Sequence, residues 1–277
     1  MTITSLTEVL SDALKNSYAV PGFVVLGWED ALYFVKAGEK INHPIILQAG
    51  PKCRSHIPIK LLGSMFRYLA ENSTIPVVCH LDHGNTVDEI KEAIDCGFNS
   101  VMIDGSKLDL HSNITLTSKV VKVAHLNGVC VEAEIGYVGY TEDKSGKLTQ
   151  PNEAKIFYEN TGVDALAVSV GNIHLATTAS NELDITLLKE IENLVPCPLV
   201  LHGGSGILEE IRHKVSVETS VCKINIGTEI RKVFGTEIRS FLGKNPEVFD
   251  RLEILESYGD SHMQETIKNI SLLRSTK

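Results

Sequence analysis

Short apolar runs alternate with segments of helical period along the whole chain, the pattern of parallel strands joined by helical crossovers. After an opening amphipathic segment (Leu6, Val9, Leu10, Ala13, Leu14), Phe23–Leu26 and Pro44–Gln48 read as the first two strands. Pro76–His80, Ser100–Asp104, Val129–Glu134 and Ala165–Val170 follow, and Pro198–Leu201 and Val221–Ile226 complete the eight. The crossovers carry helix punctuation. Thr86-Val87-Asp88-Glu89 has capping-box spacing ahead of Ile90, Ala93 and Ile94, and Gly97 closes that segment. Pro151 suits a first helical position and Gly162 a stop. Val233, Phe234, Ile238, Phe241 and Leu242 mark one face of a helix after the eighth strand. Eight strand–helix units predict a (β/α)8 TIM barrel spanning residues 1–277 as a single domain. Because period alone does not show closure, a doubly wound open sheet is the alternative. The tail from Asn245 reads as helical decoration with a polar end.

Composition narrows the partners. With 26 Lys+Arg against 35 Asp+Glu, the 277-residue chain carries a formal charge of -9, which disfavours nucleic acid and anionic membrane surfaces. Any phosphate must therefore be gripped locally. The cysteines at 53, 79, 96, 130, 197 and 222 form no CxxC pair and sit mostly in apolar runs, as reduced thiols do. The N-terminus shows no basic stretch followed by an apolar one, and no run approaches a membrane span, so a soluble cytoplasmic protein is expected.

Polar residues gather where the strands end, the rim at which such barrels do chemistry. The third strand runs into His80-Leu81-Asp82-His83-Gly84, the fourth into Asp104-Gly105-Ser106, and the fifth carries Glu132 and Glu134. The sixth runs into Gly171-Asn172-Ile173-His174, the seventh into His202-Gly203-Gly204-Ser205-Gly206, and the eighth into Asn225-Ile226-Gly227-Thr228. A lone histidine beside a strand is ordinarily a packed or surface group. Three at one rim, His83, His174 and His202, can converge as nitrogen ligands for zinc with one coordination position open. Asp82, beside His83, can then face substrate as an acid or base. The segment Ile135–Gln150 is long, glycine-containing and weakly periodic, which suggests a lid carrying Glu142. Gly203–Ser205 and Asn225–Thr228 follow strands seven and eight, where barrels frequently bind phosphate on backbone N–H groups.

Several of these runs, His80–Gly84, Gly97–Ser106, Val131–Gly136, Leu201–Gly206 and Lys223–Glu229, resemble class II ketose-bisphosphate aldolases, the fructose- and tagatose-bisphosphate enzymes among them. The resemblance spans most of the chain. It implies a catalytic Zn2+ on His83, His174 and His202, with Asp104 and Glu134 near the metal and a monovalent cation as a further cofactor. It implies proton exchange at Asp82, a lid acid at Glu142, and a sugar phosphate held by Gly171, Gly203, Ser205, Asn225, Gly227 and Thr228. The product of cleavage would be dihydroxyacetone phosphate, or a close analogue, plus an aldehyde. A homodimer or homotetramer is also implied.

The chain departs from the family around the substrate. Gly50 stands where a serine is usual after the second strand, and Phe23-Val24-Val25-Leu26-Gly27-Trp28-Glu29 lacks the usual asparagine. His174 is followed by Leu175-Ala176-Thr177-Thr178 rather than glycine and a Tyr-Lys pair, and the lid reads Gly139-Tyr140 in place of paired glycines. These departures point to a non-standard ketose phosphate. The alternative is a sugar-phosphate-binding pseudoenzyme. A zinc hydrolase is disfavoured because no histidine follows the first strand. A Schiff-base aldolase would use Lys223, which lies inside the eighth strand and reads better as packed or ion-paired; Arg251 reads as a surface residue.

Overall fold

The computed structural model describes residues 3–140, 146–179 and 182–274. Eight strands, β1 (Val20–Val24), β2 (Ile45–Ala49), β3 (Val77–Gly84), β4 (Ser100–Ile103), β5 (Cys130–Ile135), β6 (Ala165–Val168), β7 (Leu199–Leu201) and β8 (Val221–Ile226), pair in sequence order into a closed barrel. Closure is made by the parallel β1–β8 ladder, Val20 opposite Lys223 through Phe23 opposite Ile226. The open sheet is excluded. The helices are α1 (Leu6–Asn16), α2 (Trp28–Ile41), α3 (Pro51–Arg54), α4 (Ile59–Glu71), α5 (Val87–Asp95) and α6 (Leu110–Leu126). They continue as α7 (Pro151–Thr161), α8 (Ile185–Glu192), α9 (Glu209–Glu218), α10 (Thr228–Lys244), α11 (Arg251–Glu256) and α12 (Gly259–Leu272), with a 3-10 turn at Gly204–Gly206.

Two apolar clusters follow from the two faces of the wall. One lies between the strands and the surrounding helices; it takes Val77, Cys79 and Leu81 of β3 and Val131, Ala133 and Ile135 of β5. The other fills the N-terminal end of the barrel, where Leu6, Val9, Leu10 and Ala13 of α1 meet Val20, Ile46, Val78 and Val200. α1 thus plugs the floor, its start fixed by a complete Ser5–Glu8 capping box. Side chains alternate between faces along a strand. Hence His80, Glu132 and Lys223, off the outer face, form a polar layer above that floor, each with no exposed surface.

The helix signals hold, with one revision in detail and one in kind. Pro151 opens α7 and Gly162 ends it with φ +66. Thr86 caps α5 by accepting from the Glu89 N–H, but the Glu89 carboxylate accepts from Asn85 N–H and Arg54 instead of closing the box. The tail is more than decoration. In α12 the polar His262, Thr266 and Asn269 are buried, Asn269 accepting from the buried Arg212 of α9, and Leu273 O accepts from Ala19 N–H. Polar residues on that helix face inward because they have partners, which periodicity does not show. Among the described residues no helix is long and apolar enough to cross a membrane.

Candidate active site

The rim places Asp82 and His83 together by breaking the strand rule. Consecutive residues point to opposite faces. Leu81 lies in the outer core, so Asp82 faces in and His83 would face out. Instead the β3–β4 ladder shifts register between Leu81 and Gly84, and His83 adopts φ +52. A bulge of this kind re-aims a side chain; left-handed backbone at a non-glycine residue costs about 1–3 kcal/mol and persists only where its surroundings enforce it.

His83, His174 and His202 converge with ring centroids 4.7–5.5 Å apart. Together with Glu134 they bring ligand-type atoms within 4.8 Å of one another. His83 Nδ1 lies 2.7 Å from Asp104 Oδ2, and His202 Nε2 lies 3.0 Å from Glu132 Oε1. A carboxylate only accepts, so each of those nitrogens carries the proton and the opposite nitrogen is left with its lone pair. On His202 that is Nδ1, which lies 3.3 Å from Glu134 Oε2; both atoms are buried without a hydrogen-bond partner among the described residues. Two facing buried acceptors fit a cation between them. Asp104 in turn accepts from the N–H and hydroxyl of Ser106.

Electrostatics follow the same contacts. Burial favours a neutral His202, but the carboxylates of Glu132 and Glu134 on its two sides outweigh it and hold the ring up at about 10, so a proton and a cation compete for the same Nδ1 position. Burial pushes His174 down to about 3, helped by the two neighbouring imidazoles. Asp82 is opposed by its burial, yet His83, His202 and Lys223 keep its carboxyl below the usual range. Burial likewise opposes ionisation of Asp104, and the His83 contact overrides it.

A cavity of about 260 Å³ opens above these groups, lined by Asp82, His83, His174, Gly203, Ser205, Asn225, Gly227 and Thr228. Gly203 has φ +67, and a Cβ there would come 2.2 Å from Ile173 O, so only glycine fits where β7 turns back beside His174. Thr228 begins α10, whose N-terminal N–H groups lie at this rim. Asn225 Nδ2 donates to Asp82 Oδ1 at 3.4 Å. Gly171 is not among the lining residues; its φ of +105 and the close approach of Glu182 O account for it structurally. Tyr140 stacks on His174 at 4.9 Å, joined to it by a β-bridge. Glu142 lies outside the described residues.

Four residues that shape the site, Glu132, Lys223, Arg231 and Arg54, were given no part in it by the sequence. Glu132 and Lys223 form a buried pair beneath His202, and the alternation Val131-Glu132-Ala133-Glu134-Ile135 could have shown both glutamates to share the interior. Arg231, one turn into α10, lines the cavity and the adjoining one bounded by Trp28, Phe234 and Arg251. Arg54 lies behind the β3 bulge.

Residues 4–277 match the fructose-bisphosphate aldolase class-II family. The chain belongs to that family. A fructose-bisphosphate aldolase of Geobacillus stearothermophilus is 38% identical over 265 residues, covering 92% of this chain and 91% of that one. The structure of the YdjI aldolase from Escherichia coli K12 superposes with a TM-score of 0.85 at 29% identity, covering 98% of this chain and 97% of that one. Membership of the class II aldolase family makes the protein an aldolase, a carbon–carbon lyase, and its barrel is the family's.

Proposed function

We propose that the protein is a zinc-dependent aldolase that reversibly cleaves a ketose phosphate or bisphosphate into dihydroxyacetone phosphate, or a close analogue, and an aldehyde. The observation that carries this reading is the pair of orphaned buried atoms, His202 Nδ1 and Glu134 Oε2, at the meeting point of three imidazoles beneath Asp82. In this reading His83, through Nε2, His174 and His202, through Nδ1, hold the zinc, with Asp104 and Glu134 beside it. When bound, the metal supplies Lewis acidity that lowers the energy of negative charge developing on a carbonyl oxygen.

The chain's own groups do the rest. Asp82 stays ionised despite burial, so its carboxylate takes the proton from the hydroxyl on the aldehyde side as the carbon–carbon bond breaks, and returns it in the reverse direction. Asn225 orients that carboxylate. Gly203, Ser205, Gly227 and Thr228 hold the phosphate, with the positive end of α10 directed at it. Glu142, two positions after Tyr140 in the sequence, is the second proton-exchanging acid.

The aldehyde half is non-standard in this reading. Gly50, Leu175 and Ala176 line the cavity at positions where the family usually carries polar or smaller groups, while Arg231 offers a cation to a second anionic group. The exposed Phe249 and Leu252 of the α10–α11 segment support self-association as a dimer or tetramer, and the free cysteines, mostly buried, support a reducing, cytoplasmic setting.

The test is deuterium exchange into dihydroxyacetone phosphate by the zinc-loaded protein, with and without chelator, beside Asp82→Ala and His174→Ala. Metal-dependent exchange that disappears in His174→Ala is expected. Bound zinc without exchange would sink the reading. Fructose 1,6-bisphosphate is the comparison, because the Geobacillus relative is named a fructose-bisphosphate aldolase; turnover above about 1 s⁻¹, the low end for enzymes, would overturn the non-standard substrate.

A further inference from the structure

The β3 bulge leaves two peptide carbonyls, those of Asp82 and His83, skipped by the β3–β4 ladder. Both are taken by one side chain. Arg54 Nη1 donates to Asp82 O at 2.6 Å and Arg54 Nη2 to His83 O at 2.9 Å, while Nη1 also reaches Ala49 O at the end of β2. Arg54 Nε donates to Glu89 Oε1 at 3.0 Å. The other oxygen of Glu89 accepts from Asn85 N–H at 2.8 Å, on the far side of the same turn. The Arg54 side chain is only 8% exposed. The pair therefore grips the segment Asp82–Asn85 at both ends and ties it to β2 and α5.

From this we infer that Arg54, oriented by Glu89, is a positioning residue. Its planar fork holds the peptide groups of Asp82 and His83 so that two consecutive side chains face one site. The backbone at His83 is left-handed, and relaxing it toward an ordinary strand would swing the imidazole to the outer face. Asp104 holds the His83 ring, but no other side chain grips the two skipped carbonyls as closely as Arg54 among the described residues. Asn85 Nδ2 reaches His83 O only at 3.5 Å, and the Gly84 carbonyl is used by Asp104 N–H. Lysine could not replace the arginine in full, because an ammonium has no two-pronged planar fork to match two carbonyls.

The inference rests on the reading of His83 as a metal ligand, and its test is chosen to separate the two. Zinc affinity is measured by chelator competition, and the visible absorption of the cobalt-substituted protein is recorded, for wild type, Arg54→Met, Arg54→Lys, Glu89→Gln and Leu10→Ala. Leu10 lies in the barrel floor, so Leu10→Ala lowers stability without touching the rim. Arg54→Met is expected to lose about 10–100-fold in zinc affinity, the range for groups that orient metal-binding histidines, with an altered cobalt spectrum. Arg54→Lys and Glu89→Gln lose less, and Leu10→Ala keeps both properties. Folded Arg54→Met with wild-type affinity and spectrum would overturn the clamp. Should Arg54→Met fail to fold, Arg54→Lys and Glu89→Gln decide, and wild-type values in both overturn it. A wild type that binds zinc but exchanges no deuterium defeats the proposed reaction while leaving this result standing; a wild type that binds no zinc defeats both.

Discussion

The Lys223 ammonium lies 2.6 Å from Glu132 Oε2, and neither side chain has any exposed surface. The other oxygen of Glu132 accepts from His202, and Lys223 Nζ also approaches His80 Nε2 at 3.5 Å. Burial and the neighbouring ammonium together push His80 down to about 3, so this ring stays neutral, bonded through Nδ1 to Ser100. The lysine that a Schiff-base mechanism would need is thus committed to a carboxylate below the site.

Removing one member of that pair strands the other. Lys223→Met leaves Glu132 Oε2 buried without its ammonium, although Oε1 keeps the His202 bond, and urea unfolding should show a loss of about 3 kcal/mol, the low end for a broken buried pair. Glu132→Gln combined with Lys223→Met should cost less than the two single losses added together. Borohydride in the presence of a ketose phosphate should leave the wild-type enzyme active, while a chelator should inactivate it.

Gly203→Ala tests the turn after β7. The φ of +67 and a 2.2 Å approach to Ile173 O mean the backbone must move, and Ile173 is bonded in sequence to His174. The variant should lose more than about 2 kcal/mol in urea unfolding, since strain and overlap add. Any folded fraction should bind inorganic phosphate more weakly by calorimetry.

A pH dependence of stability follows from His43, away from the rim. Burial lowers its ring from 6.5 to about 4, and its Nδ1 bonds to Pro44 O. The unfolded chain takes up a proton as pH falls through 6.5, whereas the folded protein resists until about 4. Stability is therefore fully present above pH 6.5 and is lost between 6.5 and 4. From pH 7.5 to 5 the contribution is about 2 kcal/mol. Urea unfolding of wild type and His43→Gln at both pH values should show a shallower loss in the variant; equal slopes would refute the assignment.

How much of this was readable in the sequence depends on the kind of contact. His83, His174 and His202 were legible because polar residues at the ends of apolar runs are visible one residue at a time. The end of β3 was not: the apolar run stops at His80, but the strand continues to Gly84 through a bulge that polar side chains alone do not announce. Arg54 was missed because it meets Asp82 and His83 through their carbonyls, and backbone contacts leave no side-chain signature. The partnership of Glu132 with Lys223 spans 91 positions and needs barrel closure to be seen.

Gly50 separates the two halves of the substrate. Its φ of -76 is open to any residue, so glycine is not there for the backbone. A Cβ at this position would sit 3.3 Å from Asp82 Oδ2, inside the space beside the carboxylate that exchanges the aldehyde-side proton. Gly50 is buried but its Cβ would crowd only Asp82 Oδ2, so Gly50→Ala should cost about 1 kcal/mol in stability, the usual size for a single substitution. Exchange into dihydroxyacetone phosphate involves only the ketone half and should stay near wild type. Cleavage of the full ketose, which needs room beside Asp82, should fall about tenfold or more in kcat/KM, equal to about 1.4 kcal/mol in the transition state. If exchange and cleavage fell together, Gly50 would belong to the ketone side of the cavity, and the aldehyde would have to approach from the direction of Leu175.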